Sequence, residues 1–157
     1  MPDHARLDLE RFLPYRLSVL SNRISGSIAG EYSQRFDLGV TEWRVMAVLG
    51  RSPDLSANQV AQRTAMDKVA VSRAVARLLE SGRLLRSFDD DDRRRSVLRL
   101  SEAGYAIYDQ IVPLALGFER QLLGDMPADE RALLFRLLDR LDELELRVEA
   151  AGQASSG

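Results

Sequence analysis

The sequence of 157 residues contains no cysteine. Disulfide bonds, thiolate metal sites, a catalytic cysteine and a cysteine-based oxidation sensor are therefore excluded. The only histidine, His4, lies in a polar N-terminal stretch. The body of the chain thus lacks the usual base of hydrolytic catalysis and the commonest zinc ligand. We therefore expect no catalytic residue, no metal site and no cofactor, and we expect that the protein is not an enzyme.

Long apolar runs are also missing. The longest uninterrupted run is far shorter than the roughly 20 residues that a helix needs to cross a bilayer. The start of the chain has no long apolar segment of the kind found in secretory signal peptides. Because thiols are absent too, the sequence predicts a protein of the reducing cytoplasm with no membrane partner.

Charge is distributed unevenly, although the net charge is only −2. Residues 1–55 hold seven cations and seven acids, residues 56–100 hold ten and six, and residues 101–157 hold five and eleven. A cationic middle between neutral and acidic ends indicates that one segment meets phosphate, whereas the ends meet protein or solvent.

Helical patterns occupy both ends of the chain. Apolar residues recur every three or four positions over residues 9–36, which predicts one face of a long helix. A last helix, beginning after Met126-Pro127-Ala128-Asp129, repeats leucine at 134, 137, 141 and 144 with Val148 after them, which is a short heptad seam. This seam could pack inside its own subunit. We favour a subunit interface, because Leu133 and Leu138 widen the apolar surface and first-helix side chains such as Phe12 are available to it.

Two further helices lie between these ends. Thr41 is a candidate N-cap for a second helix, and Gly50 together with the Ser52-Pro53-Asp54 turn is its candidate stop. Another helix opens at Ser101 and contains Pro113, which should kink or divide it.

The middle of the chain predicts two short helices joined by a tight turn. Ser56 and Asp67 are good N-caps for them, and Gly82 suits the end of the second. Two short strands, 84–88 and 96–100, follow as a hairpin with a charged tip. This order is typical of a winged helix-turn-helix, in which the second helix enters the major groove of DNA.

The second of these helices carries small residues and cations away from its apolar stripe. Small side chains allow close approach to base edges, and cations and hydroxyls can bond guanine or phosphate. The candidate DNA-binding residues on this helix are Lys68, Ala70, Ser72, Arg73 and Arg77.

The hairpin tip places four aspartates, 89–92, before three arginines, 93–95. A calcium site is not indicated, because the alternating ligands, central glycine and distal glutamate of an EF-hand are missing. Our interpretation is that one or two aspartates hold the arginines and leave at least one free to enter the minor groove. The candidate DNA-binding residues of the tip are Asp92, Arg93, Arg94 and Arg95.

Trp43 lies on an apolar helix face, where it is either a core residue or the wall of a ligand pocket. Pockets tend to form where lobes meet, so Tyr15, Arg16 and Trp43 could line a cleft between the first helix and the DNA-binding lobe. Arg16 would then face an organic carboxylate.

Residues 56–101 resemble the DNA-binding lobe of MarR-type transcriptional regulators. The likeness extends from Ser56 to Ser101 and includes Asp92-Arg93-Arg94. The Leu-Gly-Val-Thr-Glu-Trp-Arg-Val-Met stretch at 38–46 resembles the second helix of that family, and the likeness covers nearly the whole chain. The resemblance implies an obligate homodimer, a pseudo-palindromic operator in double-stranded DNA, and often a phenolic or other aromatic effector that weakens DNA binding.

By position, the resemblance gives Ser72 and Arg73 the role of the recognition-helix pair, and Asp92, Arg93 and Arg94 that of the wing motif. The family's wing usually starts with a proline and has fewer acids. The choice among Arg93, Arg94 and Arg95 for the minor groove therefore stays open.

These patterns predict a mainly α protein with a small β-hairpin wing, built from a winged helix-turn-helix lobe (37–100), a helical dimerisation region (1–36 and 101–151) and a disordered tail (152–157). The expected function is a sequence-specific DNA-binding transcriptional regulator, a repressor released by a small ligand. The alternative is a winged-helix module that docks an acidic protein partner without specific DNA binding.

Overall fold

The computed structural model describes residues 3–88, 90–91 and 95–144. Within these residues it has six α-helices and one antiparallel two-stranded sheet, which confirms the expected fold class. In chain order the elements are α1 (Leu13–Phe36), α2 (Val40–Arg51), α3 (Ala57–Thr64), α4 (Lys68–Glu80), β1 (Leu84–Phe88), β2 (Ser96–Leu100), α5 (Glu102–Leu123) and α6 (Ala128–Asp142).

The chain forms two compact units, Met1–Leu116 and Gly117–Gly157. The buried apolar core belongs to the first unit, and α2, α3, α4 and the strands all contribute to it. Its largest fully buried side chains are Tyr32, Leu38, Met46, Leu49, Leu78, Leu98 and Ile111.

The first helix starts later than the apolar pattern predicts. Leu9–Arg11 form a single 3-10 turn, and α1 begins only at Leu13, with Pro14 in its first turn. Proline has no backbone N–H, so Pro14 cannot donate the helical hydrogen bond to the carbonyl oxygen of Glu10. That oxygen instead accepts a 3.0 Å hydrogen bond from Nη1 of Arg16.

The expected N-cap of α2 is wrong by two residues, whereas the helix does end directly before the expected turn at 52–54. Its N-cap is Gly39 rather than Thr41, and the backbone N–H of Gly39 donates to Oε2 of Glu42 at 3.4 Å. Gly50 lies inside the helix, which ends at Arg51. A methyl group at Gly50 would overlap the ring of Tyr108. This glycine therefore allows α2 and α5 to approach closely and does not stop the helix.

The two strands pair as expected, from Leu84 opposite Leu100 to Phe88 opposite Ser96. The segment after α2 adds a short bridge, because Leu55 and Leu98 are also paired. Arg99 then donates to both carboxylate oxygens of Asp54 at 2.7 Å. The base of the hairpin is thus fixed to the loop between α2 and α3.

The start of α5 is tied to the end of α4. Oγ of Ser101 donates to the carbonyl oxygen of Gly82 at 2.6 Å and accepts from the backbone N–H of Gly104 at 3.0 Å. A side chain at Gly104 would overlap the carbonyl oxygen of Arg83. Glycine is therefore required here by close packing of two backbones.

Pro113 does not divide α5, which runs without a break from Glu102 to Leu123. Division was one of the two expected outcomes, and it is wrong. A proline removes a single backbone donor, and the completely buried Ile111 holds the preceding turn in place.

The α6 helix exposes most of its leucine seam. Leu134, Leu137 and Leu141 are between 37% and 46% exposed. Leu133 and Leu138, which widen the seam, are also exposed. The helix ends at Asp142, so Leu144 is not part of it, contrary to expectation. Val148 and the predicted tail lie outside the described residues.

Candidate nucleic-acid interface

The α4 helix has one buried and one exposed side. Val71, Ala74, Val75 and Leu78 are at most 4% exposed and pack into the core. The exposed side consists of Lys68, Val69, Ser72, Arg73, Ala76 and Arg77, which we call the α4 strip. These positions recur at spacings of one and four residues, so they form two adjacent rows along one helix face.

The start of α4 is set by local hydrogen bonds that the sequence predicts. Ser56 caps α3, because its hydroxyl accepts from the N–H of Gln59 at 3.2 Å and the Gln59 side chain accepts from the N–H of Ser56 at 2.9 Å. Asp67 caps α4 by accepting from the N–H of Ala70 at 3.0 Å. Ala65 adopts a left-handed conformation with φ 52° in the turn between the helices.

Ala70 and Arg77 differ in setting from the other predicted DNA contacts. Ala70 is half-buried in the first turn, at the edge of the α4 strip. Arg77 lies within the strip, but its Nη1 is 3.4 Å from Oε1 of Glu42 on α2. The Glu42 side chain is only 10% exposed, so this cation is the partner of a buried carboxylate. Arg77 therefore helps to fix α4 against α2.

A shallow hollow of about 340 Å³ lies on the α4 strip. It is lined by Lys68, Val69, Ser72, Arg73 and Ala76. Sequence reasoning assigned no role to Val69, which is 56% exposed. The signal that could have identified Val69 is its position as an apolar residue outside the helix's buried stripe, directly beside the predicted DNA contacts. The hollow thus combines cations, a hydroxyl and exposed apolar carbon.

The hairpin after α4 carries exposed cations. Asp92, Arg93 and Arg94 lie outside the described residues, whereas Arg95 is described and exposed. Arg86 on β1 is exposed as well, and Phe88 at the end of that strand is 62% exposed. At the hairpin base, the hydrogen bond and charge of Asp54 raise the pKa of Arg99 above its ordinary value. Arg99 therefore stays charged and holds the hairpin in place.

The three residues proposed for a ligand pocket do not meet within one chain. Trp43 is half-buried, with its ring 5.5 Å from that of Tyr32 and 6.1 Å from that of Tyr108. Tyr15 and Arg16 lie in the first turns of α1. Tyr15 precedes Tyr32 by 17 residues, which is about 25 Å of helix. The observed aromatic cluster consists of Tyr32, Trp43 and Tyr108, with Tyr105 packed edge-on against Tyr108.

The hydroxyl of Tyr32 is buried and has no hydrogen-bond partner among the described residues. Burial raises the pKa of this phenol above its ordinary value. The neutral form is therefore favoured in the folded protein.

The described residues offer neither a metal-binding cluster nor a membrane-spanning helix. No group of three or more histidine, aspartate or glutamate side chains there could hold a metal ion. None of the described helices is both long enough and apolar enough to span a membrane.

Comparison with known proteins places these features in a family. The model of the MarR family matches residues 36–95, which include α2, the helix pair and most of the hairpin. A MarR/EmrR family transcriptional regulator from Acinetobacter has 30% sequence identity and a TM-score of 0.81, covering 87% of this chain and 96% of that one.

Two more relatives are similar along most of their length. An uncharacterized HTH-type transcriptional regulator from Bacillus cereus is 24% identical over 127 residues, or 80% of this chain and 84% of the relative. FabT from Streptococcus pneumoniae, solved in complex with DNA, has 23% identity and a TM-score of 0.67, covering 86% of this chain and 95% of that one.

Proposed function

This chain belongs to the MarR family of DNA-binding transcriptional regulators, and from that premise we propose that it is a homodimeric repressor of a pseudo-palindromic operator. The observation that carries the proposal is the α4 strip. Four core side chains hold α4 in place, and its opposite side presents Lys68, Ser72 and Arg73 to solvent. A fixed helix with an exposed polar and cationic face is what major-groove recognition requires.

The proposed contacts divide into base readout and positioning. Ser72 and Arg73 bond base edges near the start of the helix, with Ala70 allowing close approach beside them. Lys68 and Arg77 contact phosphate, and Arg77 also keeps α4 in register with α2. Asp92 orients the hairpin tip, from which one of Arg93, Arg94 and Arg95 enters the minor groove.

The homodimer is supported by apolar surface at both ends of the chain. Leu13, Leu17 and Leu20 on α1 are 43–53% exposed, and the α6 seam is exposed as well. Apolar surface on this scale on a small protein marks an interaction site. Under this proposal residues 1–36 and 101–151 form the dimerisation region and residues 37–100 the DNA-binding lobe. The two α4 helices then lie about 34 Å apart, one turn of DNA.

We include a small aromatic acid as the effector that releases the repressor. Trp43 lies in the DNA-binding lobe and contacts Tyr32 near the end of α1, whereas Tyr15 and Arg16 lie at the other end of that helix. The latter two would therefore meet such a ligand beside Trp43 only as residues of the partner subunit. A ligand that favours a different spacing of the two α4 helices by a few kcal/mol would change operator occupancy strongly.

The test is selection of bound duplexes from a random pool with the full-length protein, followed by competition. The proposal expects the selected duplex to be an inverted repeat that outcompetes a scrambled duplex by about 10³-fold or more. Binding to both duplexes with equal, salt-sensitive affinity would contradict it and would favour docking of an acidic protein partner. A screen of aromatic acids for release of the selected duplex then tests the effector.

A further inference from the structure

Val69 is an exposed apolar residue in the first turn of α4, and the described fold gives it no packing role. Its exposure is 56%, and it is not among the partly buried hydrophobic residues that pack against the core. A β-branched residue is also a weaker helix former than alanine. Neither core packing nor helix propensity therefore accounts for valine at this position.

The neighbours of Val69 are the residues that face DNA in the proposed function. One row of the α4 strip is Val69, Arg73 and Arg77, and the adjacent row is Lys68, Ser72 and Ala76. Val69 thus lies one helical turn before Arg73 and shares the hollow of about 340 Å³ with it. When Arg73 bonds a base edge, Val69 therefore lies close enough to contact a neighbouring base.

The major groove offers one apolar group, which is the C5 methyl of thymine. We infer that Val69 reads a thymine methyl group in each half-site of the operator, beside the guanine that Arg73 bonds. This inference rests on the proposed binding of DNA through α4. It adds a requirement to the operator sequence, because the contact with Val69 needs a thymine, whereas the contacts of the cations in the α4 strip do not.

The helix geometry limits where that thymine lies. Four residues advance an α-helix by about 6 Å along its axis. Successive bases of one DNA strand are about 3.4 Å apart. The thymine read by Val69 therefore lies within about two base pairs of the guanine read by Arg73.

The experiment removes the C5 methyl group from the DNA and, separately, both γ-methyl groups of Val69 from the protein. In the selected duplex, each thymine of a half-site is replaced in turn by deoxyuridine, which lacks only the C5 methyl. The wild-type protein is expected to bind about fourfold more weakly when the thymine read by Val69 is replaced, since a buried methyl is worth about that factor. The Val69→Ala protein is expected to bind the original duplex more weakly and to show no further loss with deoxyuridine.

Leu85→Ala is the matched control, because Leu85 is 54% exposed but lies on β1. This variant should keep the fourfold response at the same thymine, whatever its overall affinity. The inference is overturned if the wild type responds to no thymine methyl, or if Val69→Ala keeps the full response, while the selected duplex still outcompetes the scrambled one. If no duplex is preferred, the proposed function fails as well, and Val69 is then available to a protein partner.

Discussion

Glu42 on α2 and Arg77 on α4 lie 3.4 Å apart, yet the Glu42 side chain is 10% exposed and that of Arg77 is 73% exposed. The pair is therefore asymmetric. Loss of the arginine leaves a buried carboxylate with only the N–H of Gly39, whereas loss of the glutamate leaves an arginine that water can solvate.

The first prediction follows from this asymmetry. Arg77→Ala should lower the free energy of unfolding by about 1 kcal/mol, because the Glu42 carboxylate loses its cation. Glu42→Gln should cost less, because its one amide oxygen still accepts from the N–H of Gly39 and the exposed Arg77 is solvated by water. Urea unfolding of both variants measures this, with the exposed Arg73→Ala as a control that should match the wild type. A larger loss for Glu42→Gln would contradict the prediction.

Arg73→Ala should weaken binding of the selected duplex by about 1–3 kcal/mol, because a base contact is lost. Binding of a scrambled duplex should change much less. The control is Arg35→Ala, which removes the same charge from α1, where Arg35 pairs with Glu31 at 3.2 Å. Fluorescence anisotropy titrations measure the six affinities of the wild type and the two variants for the two duplexes. Equal losses on both duplexes would assign Arg73 to phosphate and not to base readout.

Gly104→Ala should destabilise the protein by about 1–3 kcal/mol, since the new methyl group has to displace the backbone carbonyl of Arg83. Gly26 in α1 is the matched control, because no atom of the described residues, apart from its chain neighbours and the backbone of its own helix, lies within 4 Å of a methyl group placed there. Gly26→Ala should stabilise by about 0.5–1 kcal/mol through helix propensity. Thermal unfolding distinguishes the two, and similar shifts for both would count against the close packing described here.

Tyr32→Phe tests the buried hydroxyl through pH. The folded protein holds the pKa of Tyr32 above its ordinary value near 10, so the phenol loses its proton more easily in the unfolded chain. Stability from this group is complete below about pH 10 and falls as pH rises toward the folded pKa. Tyr32→Phe should therefore be no less stable at pH 7 and should lose less stability between pH 9 and about pH 11. An identical alkaline loss in both proteins would exclude Tyr32 as its source.

Leu137→Glu should convert the proposed dimer to a monomer, because a carboxylate would replace an apolar side chain that is 46% exposed in the single chain. Arg136→Glu adds the same carboxylate one position earlier, outside the seam, and should leave the dimer intact. Sedimentation velocity at micromolar concentration reports the mass of each. A wild-type protein that sediments as a monomer would contradict the proposed dimer.

Much of the DNA-binding lobe follows from local sequence signals. Ser56 and Asp67 were identified as caps because a side-chain oxygen before a helix has an obvious backbone N–H to bond, and both bonds are present. The two strands were placed from short apolar runs on either side of a charged stretch, and their bounds are confirmed. Signals of this kind depend on neighbours in the chain.

The features that were missed depend on contacts between distant residues. Gly50 reads as a stop signal, but its role is set by the ring of Tyr108, which is 58 residues away. Thr41 is a common N-cap residue, yet it is the side chain of Glu42, inside the helix, that accepts the hydrogen bond from the backbone N–H at the helix start. In the sequence Val69 belongs to an apolar run, but in the structure α4 buries Val71 and leaves Val69 exposed on its opposite side.

The paired hydrogen bonds of Ser101 have a mechanical consequence. They link the first turn of α5 to Gly82, two residues after the end of α4, and Gly104 packs directly against the carbonyl of Arg83. A rotation of the start of α5 would therefore be transmitted directly to the end of α4, because hydrogen bonds and close backbone packing join the two segments.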